Sequence, residues 1–265
     1  MSDKIGDRFK ENYENRTRYL LPRRTYTIIR LDGKAFHTFT KRCHRPFDEE
    51  LMWLMNETAI KLCEQIQGVR LAYVQSDEIS LLLTDFDGQD TSAWFDGNIL
   101  KMSSISASIA TASFNANLTK MATTLPDSEF DTLNKFIAKD GSGFYQALFD
   151  SRVFSVPEDF ETENYFIWRQ MDCTKNSIQM VAQSLYSHKE LHGKNTSVLQ
   201  EMIFQKGINW NDYPVRCKRG AVIAKEYFDK DGAKRSHWVV QEPPIFTQDR
   251  TYLRGLIPVR KSWEN

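Results

Sequence analysis

Net charge is the first thing this chain lacks: 35 Lys and Arg are matched by 35 Asp and Glu. The chain is therefore no bulk polycation, although a local basic face still suffices to contact nucleic acid. Cysteine is scarce. The four thiols, Cys43, Cys63, Cys173 and Cys217, form no Cys-x-x-Cys pair and fall at wide, irregular spacings. That argues against a structural zinc site and, at this length, against a disulfide framework. They read as reduced thiols of a cytosolic protein, so a cytoplasmic location is expected. No apolar run is fit to span a membrane, because residues 100–118, the least polar long stretch, are broken by Ser, Thr and Asn. The segment Met1-Ser-Asp-Lys-Ile-Gly-Asp-Arg8 has no apolar signal core.

Several familiar catalytic devices are missing as well. No Gly-x-Ser-x-Gly elbow occurs, and no cysteine has a His partner in sequence. Gly193-Lys194 imitates the end of a P-loop, but the earlier glycine would fall at His188, and Asn195 takes the Ser/Thr place. His188 and His192 stand four apart, yet Lys189 occupies the position where a zinc protease carries Glu. Asp85-Phe-Asp-Gly-Gln-Asp90 lacks the ligand order of a calcium loop and reads as a plain turn.

What is present is enough apolar material, 41% of 265 residues, for a sizeable core in one large domain or one domain with a helical extension. Residues 5–19, with Phe9, Tyr13 and Tyr19 recurring, predict a short amphipathic helix laid against the domain and ended by Pro22. A strand follows at Thr25–Leu31. Asp48 predicts a helix cap, with Glu49 and Glu50 in the first turn and Leu51, Leu54, Met55, Ala59, Leu62 and Ile66 at helical spacing, until Gly68. Residues 100–118 predict a helix able to lie close on a sheet. Pro126, Asp140-Gly141 and Gly143 punctuate a loop, and Arg152–Pro157 is a plausible last strand. Beyond Glu158 one long helix or two, then another at 199–204, precede a hairpin over Ala221–Phe228 and His237–Gln241. Arg250, Arg254, Arg260 and Lys261 make the tail basic enough to touch nucleic acid.

Two stretches carry chemistry. Tyr26–His37 begins as a β-branched, apolar run and breaks at Asp32-Gly33, which delivers a carboxylate to a strand end with Lys34 and His37 beside it. Leu71–Leu83 reads as two strand-like runs around a turn at Ser76-Asp77-Glu78. A lone Asp in a turn most often bonds its own backbone. Two at the ends of neighbouring strands would meet at one edge and bind Mg²⁺, a hard cation that takes oxygen ligands. Paired metals suit phosphoryl or nucleotidyl transfer. The basic loop 38–48, with Lys41, Arg42, His44 and Arg45, reads either as a solvated loop or as an arm that holds phosphate.

Arg30-Leu-Asp-Gly-Lys-Ala-Phe-His37, Tyr73-Val-Gln-Ser-Asp-Glu78 and Trp168-Arg-Gln-Met-Asp-Cys173, in this order and at these separations, resemble the motifs of the tRNA-His guanylyltransferase family, also described as 3′-5′ nucleotide polymerases. The resemblance spans most of residues 25–225. It implies an α+β fold in which a polymerase palm-like antiparallel sheet packs on helices. Residues 1–157 would form the catalytic palm and 158–265 a helical and hairpin extension packed on it. It implies Asp32 and Asp77 as catalytic metal ligands for two Mg²⁺ ions, with the Gly33 carbonyl as a further ligand. A nucleoside triphosphate would lie along Asp32, Gly33, Lys34, Ala35, Phe36 and His37 and along Ser76 and Asp77, with Arg45 steadying phosphate. ATP would activate a tRNA 5′-monophosphate, and GTP or another triphosphate would be added.

Tetramers are common in the family, so a homotetramer is implied. After Asp172-Cys173, Thr174 and Lys175 stand where the eukaryotic enzymes open a His-x-Asn-Asn signature. That departure resembles the guanylyltransferase-like branch and points toward template-directed repair of 5′-truncated tRNA, rather than the guanylyltransferase proper. A palm-type nucleotidyl cyclase and a non-catalytic RNA-binding module are the competing readings.

Overall fold

In the computed structural model, which describes residues 3–124, 133–137 and 143–260, the strands β1 (Tyr26–Gly33), β2 (Val69–Gln75), β3 (Glu78–Thr84), β4 (Phe149–Val156), β5 (Ala221–Lys230) and β6 (Ala233–Gln241) form one antiparallel sheet. Its order is β4-β1-β3-β2-β5-β6. The helices are α1 (Lys4–Asn12), α2 (Phe36–Phe39), α3 (Glu49–Gln65), α4 (Ile99–Thr124), α5 (Asp159–Leu185), α6 (His188–Leu191), α7 (Thr196–Gln205), α8 (Val215–Arg219) and α9 (Arg250–Leu256).

Strand side chains alternate between faces, and here both faces are covered. Ile29 and Leu31 of β1 join Leu54, Met55 and Leu62 of α3 and Ala110, Phe114 and Leu118 of α4 in one core. Tyr26 and Ile28 turn the other way and meet Tyr165, Phe166 and Cys173 of α5 in a second. This double burial is why β1 reads as a nearly continuous apolar run. A third cluster joins Ile178, Val181 and Ala182 of α5 to Leu199 and Ile203 of α7. The Asp48 side chain caps α3, accepting from the Leu51 N–H at 3.0 Å. Small residues bring α4 onto the sheet: Ser103 Oγ donates to the Ser151 carbonyl at 2.7 Å, and Ser106 and Ser151 share a 2.8 Å hydrogen bond.

Several expectations change. β1 runs on through Gly33, so Asp32 lies within the paired strand rather than beyond it. β4 is an edge strand beside β1, and the sheet continues on its far side, where β5 pairs with β2. The C-terminal hairpin thus completes the palm sheet as well as packing near it. Of the one or two helices expected beyond Glu158, the structure has one, Asp159–Leu185. α1 buries none of its residues, and Phe9 and Tyr13 are exposed, so the amphipathic pattern marks a helix without holding it to the core. Pro126, Asp140-Gly141 and Lys261 lie outside the described residues. Arg250 and Arg254 both pair with the buried carboxylate of Glu163, at 2.8 and 2.9 Å, and so help to hold the fold.

Gly220 sits where β5 enters the sheet. Its φ is 72°, and a Cβ there would lie 2.3 Å from the Val74 carbonyl oxygen. Gly220→Ala is therefore expected to cost about 2 kcal/mol or more, read as a lower denaturant midpoint, since neither the left-handed backbone nor the contact with β2 can be kept.

Candidate active site

β1 and β3 are neighbours, and Asp32 lies opposite Glu78 on one side and Asp150 of β4 on the other. The two-residue turn between β2 and β3 puts Ser76 at φ 48°. The strand ends are tied by the Gly33 N–H, which donates to the Asp77 carbonyl at 3.1 Å. Asp32 and Asp77 therefore meet at one edge of the sheet. Partial burial raises the pKa of Asp77, and the Asp32 charge raises it further. Burial likewise raises the pKa of Asp32, followed by the charges of Asp150 and Glu78. An acidic edge whose members push one another toward protonation is a place where a cation is favoured.

Glu78 is already engaged by a cation of the protein itself. Arg169 of α5 donates to both its oxygens, from Nε at 2.8 Å and Nη2 at 2.7 Å, and also to Asp172 at 3.0 Å. The fork geometry holds the carboxylate in place on the sheet face that α5 covers.

Phe36, His37, Arg45, Ser76 and Asp77 line one cavity of about 270 Å³, together with Thr40, His44, Asp48 and Met180. Lys34 and Ala35 are exposed and do not line it; the Lys34 N–H is spent on the Leu148 carbonyl at 2.8 Å. Asp32 and Gly33 approach from the strand side and are not on its wall. Two local features shape this end. Ala35 holds φ at 55° and starts α2 by accepting from the Thr38 N–H at 2.9 Å. Gly33 carries no Cβ, which would otherwise lie 2.3 Å from the Phe36 ring. Backbone held in sparsely populated conformations on both sides of an acidic pair is the kind of strain that accumulates at functional sites.

The wall opposite is braced by a buried cation. Lys135, its side chain 5% exposed, donates to Asp48 at 2.6 Å and to Glu50 at 2.8 Å. Asp48 also accepts from the His44 N–H at 2.8 Å, which ties the basic loop to α3. Burial alone would raise the pKa of Asp48, but Lys135 and the Leu51 and His44 N–H groups overcome it, and the net direction is down. A lowered carboxylate pKa contributes stability above the unfolded value and loses it as pH falls through the folded one. Lys135→Met, which strands two carboxylates, is expected to destabilise the protein by about 3–5 kcal/mol in chemical denaturation at neutral pH.

The chain matches the family model described as tRNAHis guanylyltransferase over residues 7–157. It belongs to the tRNA-His guanylyltransferase family. The enzyme from Debaryomyces hansenii is 29% identical over 225 residues, covering 80% of this chain and 77% of that one. A bacterial tRNA-His guanylyltransferase-like protein in complex with ATP is 43% identical, with a TM-score of 0.81, covering 97% of this chain and all of that one. A structure of a bacterial guanylyltransferase-like protein in complex with GTP is 41% identical with a TM-score of 0.76, covering 96% of this chain and 99% of that one. This chain is thus a 3′-5′ nucleotidyltransferase of the guanylyltransferase family, built on the palm-like sheet that the motifs implied. The four cysteines are buried and free, and among the described residues no helix is long and apolar enough to cross a membrane.

Glu78, Arg169 and Gln75 stand inside the sequence motifs, which give none of them a role, and Asp150 and Lys135 lie outside any motif. For Asp150 a signal existed: an acid on the strand paired with β1, directly opposite Asp32.

Proposed function

We propose that this guanylyltransferase-family member extends 5′-shortened tRNAs in the 3′-5′ direction, reading the opposite strand as template. The observation that carries the reading is the pair Asp32 and Asp77, one on each side of the strand-end tie, electrostatically coupled, with Asp77 on the wall of the cavity. Magnesium is bound by one or two carboxylates, the rest of its octahedron coming from water and substrate phosphates. Asp32, Asp77 and the Gly33 carbonyl fit that demand. Among the described residues no cluster of three metal-ligating His, Cys, Asp or Glu competes with them. Two Mg²⁺ ions held there would supply activation of the attacking hydroxyl and neutralisation of phosphate charge.

In the first step a 5′-phosphate oxygen attacks the α-phosphorus of ATP, forming an adenylylated RNA end and releasing pyrophosphate. In the second the 3′-hydroxyl of the incoming nucleotide attacks that end, gives up its proton and expels AMP. The side chains of this chain bind and orient: His37 and Arg45 on the cavity wall steady phosphate oxygens, and Ser76 holds the turn that presents Asp77. No protein nucleophile enters either step. Support for repair over dedicated guanylylation of tRNA-His comes from Thr174 and Lys175, which replace the eukaryotic signature in the middle of α5.

The test is to supply a 5′-shortened, 5′-monophosphorylated tRNA with ATP, Mg²⁺ and each nucleoside triphosphate in turn. The expected product is one nucleotide longer and forms with the triphosphate that complements the facing base. Cyclic nucleotide made without RNA, or RNA binding without turnover, would overturn the reading.

A further inference from the structure

We infer that Gln75 reads the amino-bearing edge of a nucleobase in a second, smaller cavity adjoining the first. This rests on the proposed nucleotide chemistry and adds the group that recognises the base. The second cavity, about 70 Å³, shares Asp48, Leu51, Ser76 and Met180 with the one that Asp77 lines, so the two adjoin at the β2–β3 turn.

Gln75 lines this cavity and is 4% exposed, yet its Oε1 has no hydrogen-bond partner among the described residues. A buried, unpaired acceptor is unusual enough to need a reason. The amide cannot simply turn over to find one. Its Nε2 donates to Glu78 Oε1 at 3.2 Å, and Glu78 is held from behind by both bonds of Arg169. Reversal would place the amide oxygen against a carboxylate, so Arg169 and Glu78 together keep Oε1 as the free end.

The surroundings fix the class of ligand. Phe47, Leu51, Met180 and Cys173 give apolar walls that suit the faces of a flat ring, while the Gln75 side chain beside them holds a buried Oε1 that still lacks an N–H. The volume admits the edge of a ring rather than a whole nucleotide. A ligand whose triphosphate lies beside Asp77 has its base free to reach this neighbouring space. An exocyclic amino group of adenine or guanine meets all of these demands.

Equilibrium binding in Mg²⁺, without RNA and without turnover, tests this. Two pairs are compared: ATP with purine riboside 5′-triphosphate, and GTP with inosine 5′-triphosphate. Each second member lacks only the amino group. Wild-type protein is expected to prefer the amino-bearing member of at least one pair by about tenfold, the size of one buried hydrogen bond. Gln75→Met, similar in length but without the acceptor, is expected to abolish that preference while still binding triphosphate. Equal binding within both pairs by wild-type protein would overturn the inference without any variant, as would a preference that survives in Gln75→Met. Failure of wild-type protein to bind any triphosphate would instead remove the proposed function beneath it.

Discussion

Asp77→Asn is expected to give a folded protein, slightly more stable than the wild type in divalent-free buffer, that adds nucleotides at least about a hundredfold more slowly. The two effects share one cause. In the native state Asp77 is partly buried beside the Asp32 charge, and its pKa is raised. A carboxylate with a raised folded-state pKa holds its proton more tightly folded than unfolded. Its stabilising contribution is complete below the unfolded pKa and disappears as pH rises through the folded one. Above that folded-state pKa the divalent-free protein therefore carries a repulsive acidic pair. Removing one charge relieves it, by about 1 kcal/mol or a few degrees in melting temperature.

Mg²⁺ offers the same relief by binding. Wild-type protein should melt higher on adding Mg²⁺ at pH 7, with a smaller gain at acidic pH, where protons compete. In Asp77→Asn both the Mg²⁺ increment and its pH dependence should shrink. A melting curve at two pH values, with and without Mg²⁺, measures all of this beside the activity. Near-normal nucleotide addition by the variant would remove Asp77 from the chemistry.

The parts of this site that the sequence disclosed are those written in consecutive residues. β1 is legible as a strand as far as Leu31 because its residues are buried on both faces, and the Ser76-Asp77 turn because two apolar runs flank it. The Asp48 cap is legible because a cap and its acidic first turn are local grammar. What stayed hidden depends on pairings between distant residues. Glu78 finds Arg169 at a separation of 91, and Asp48 finds Lys135 at 87. No periodicity connects such positions. The place of the β5–β6 hairpin was hidden for the same reason, because nothing in its alternation says that it pairs with β2 rather than with β4. The arginines of the tail look free until the fold places Glu163 between them, buried and in need of charge.

Arg169 carries the second large expectation, because it joins the core of α5 to the acidic edge. Glu78 is 12% exposed at its side chain, and Arg169 supplies two of its hydrogen bonds. Arg169→Met keeps the length of the side chain but leaves that carboxylate buried without its cation, at a cost of about 3–5 kcal/mol. The denaturant midpoint should fall with little change in slope, as for a loss of stability without a change in exposed surface. Pairing it with Glu78→Gln should recover much of the loss, since the stranded charge is then gone, and a double-mutant cycle separates that coupling from lost packing against Trp168, whose ring lies 4.4 Å from the guanidinium. A pH profile distinguishes a role at the site from a merely structural one. Glu78 already pushes the pKa values of Asp32 and Asp77 upward. Without the guanidinium to balance it, that push grows, and both carboxylates must lose their protons to hold a cation. The acid limb of nucleotide addition should therefore move to higher pH in Arg169→Met and move back in the double variant. An acid limb that stays in place while stability falls would confine Arg169 to holding α5 against the sheet.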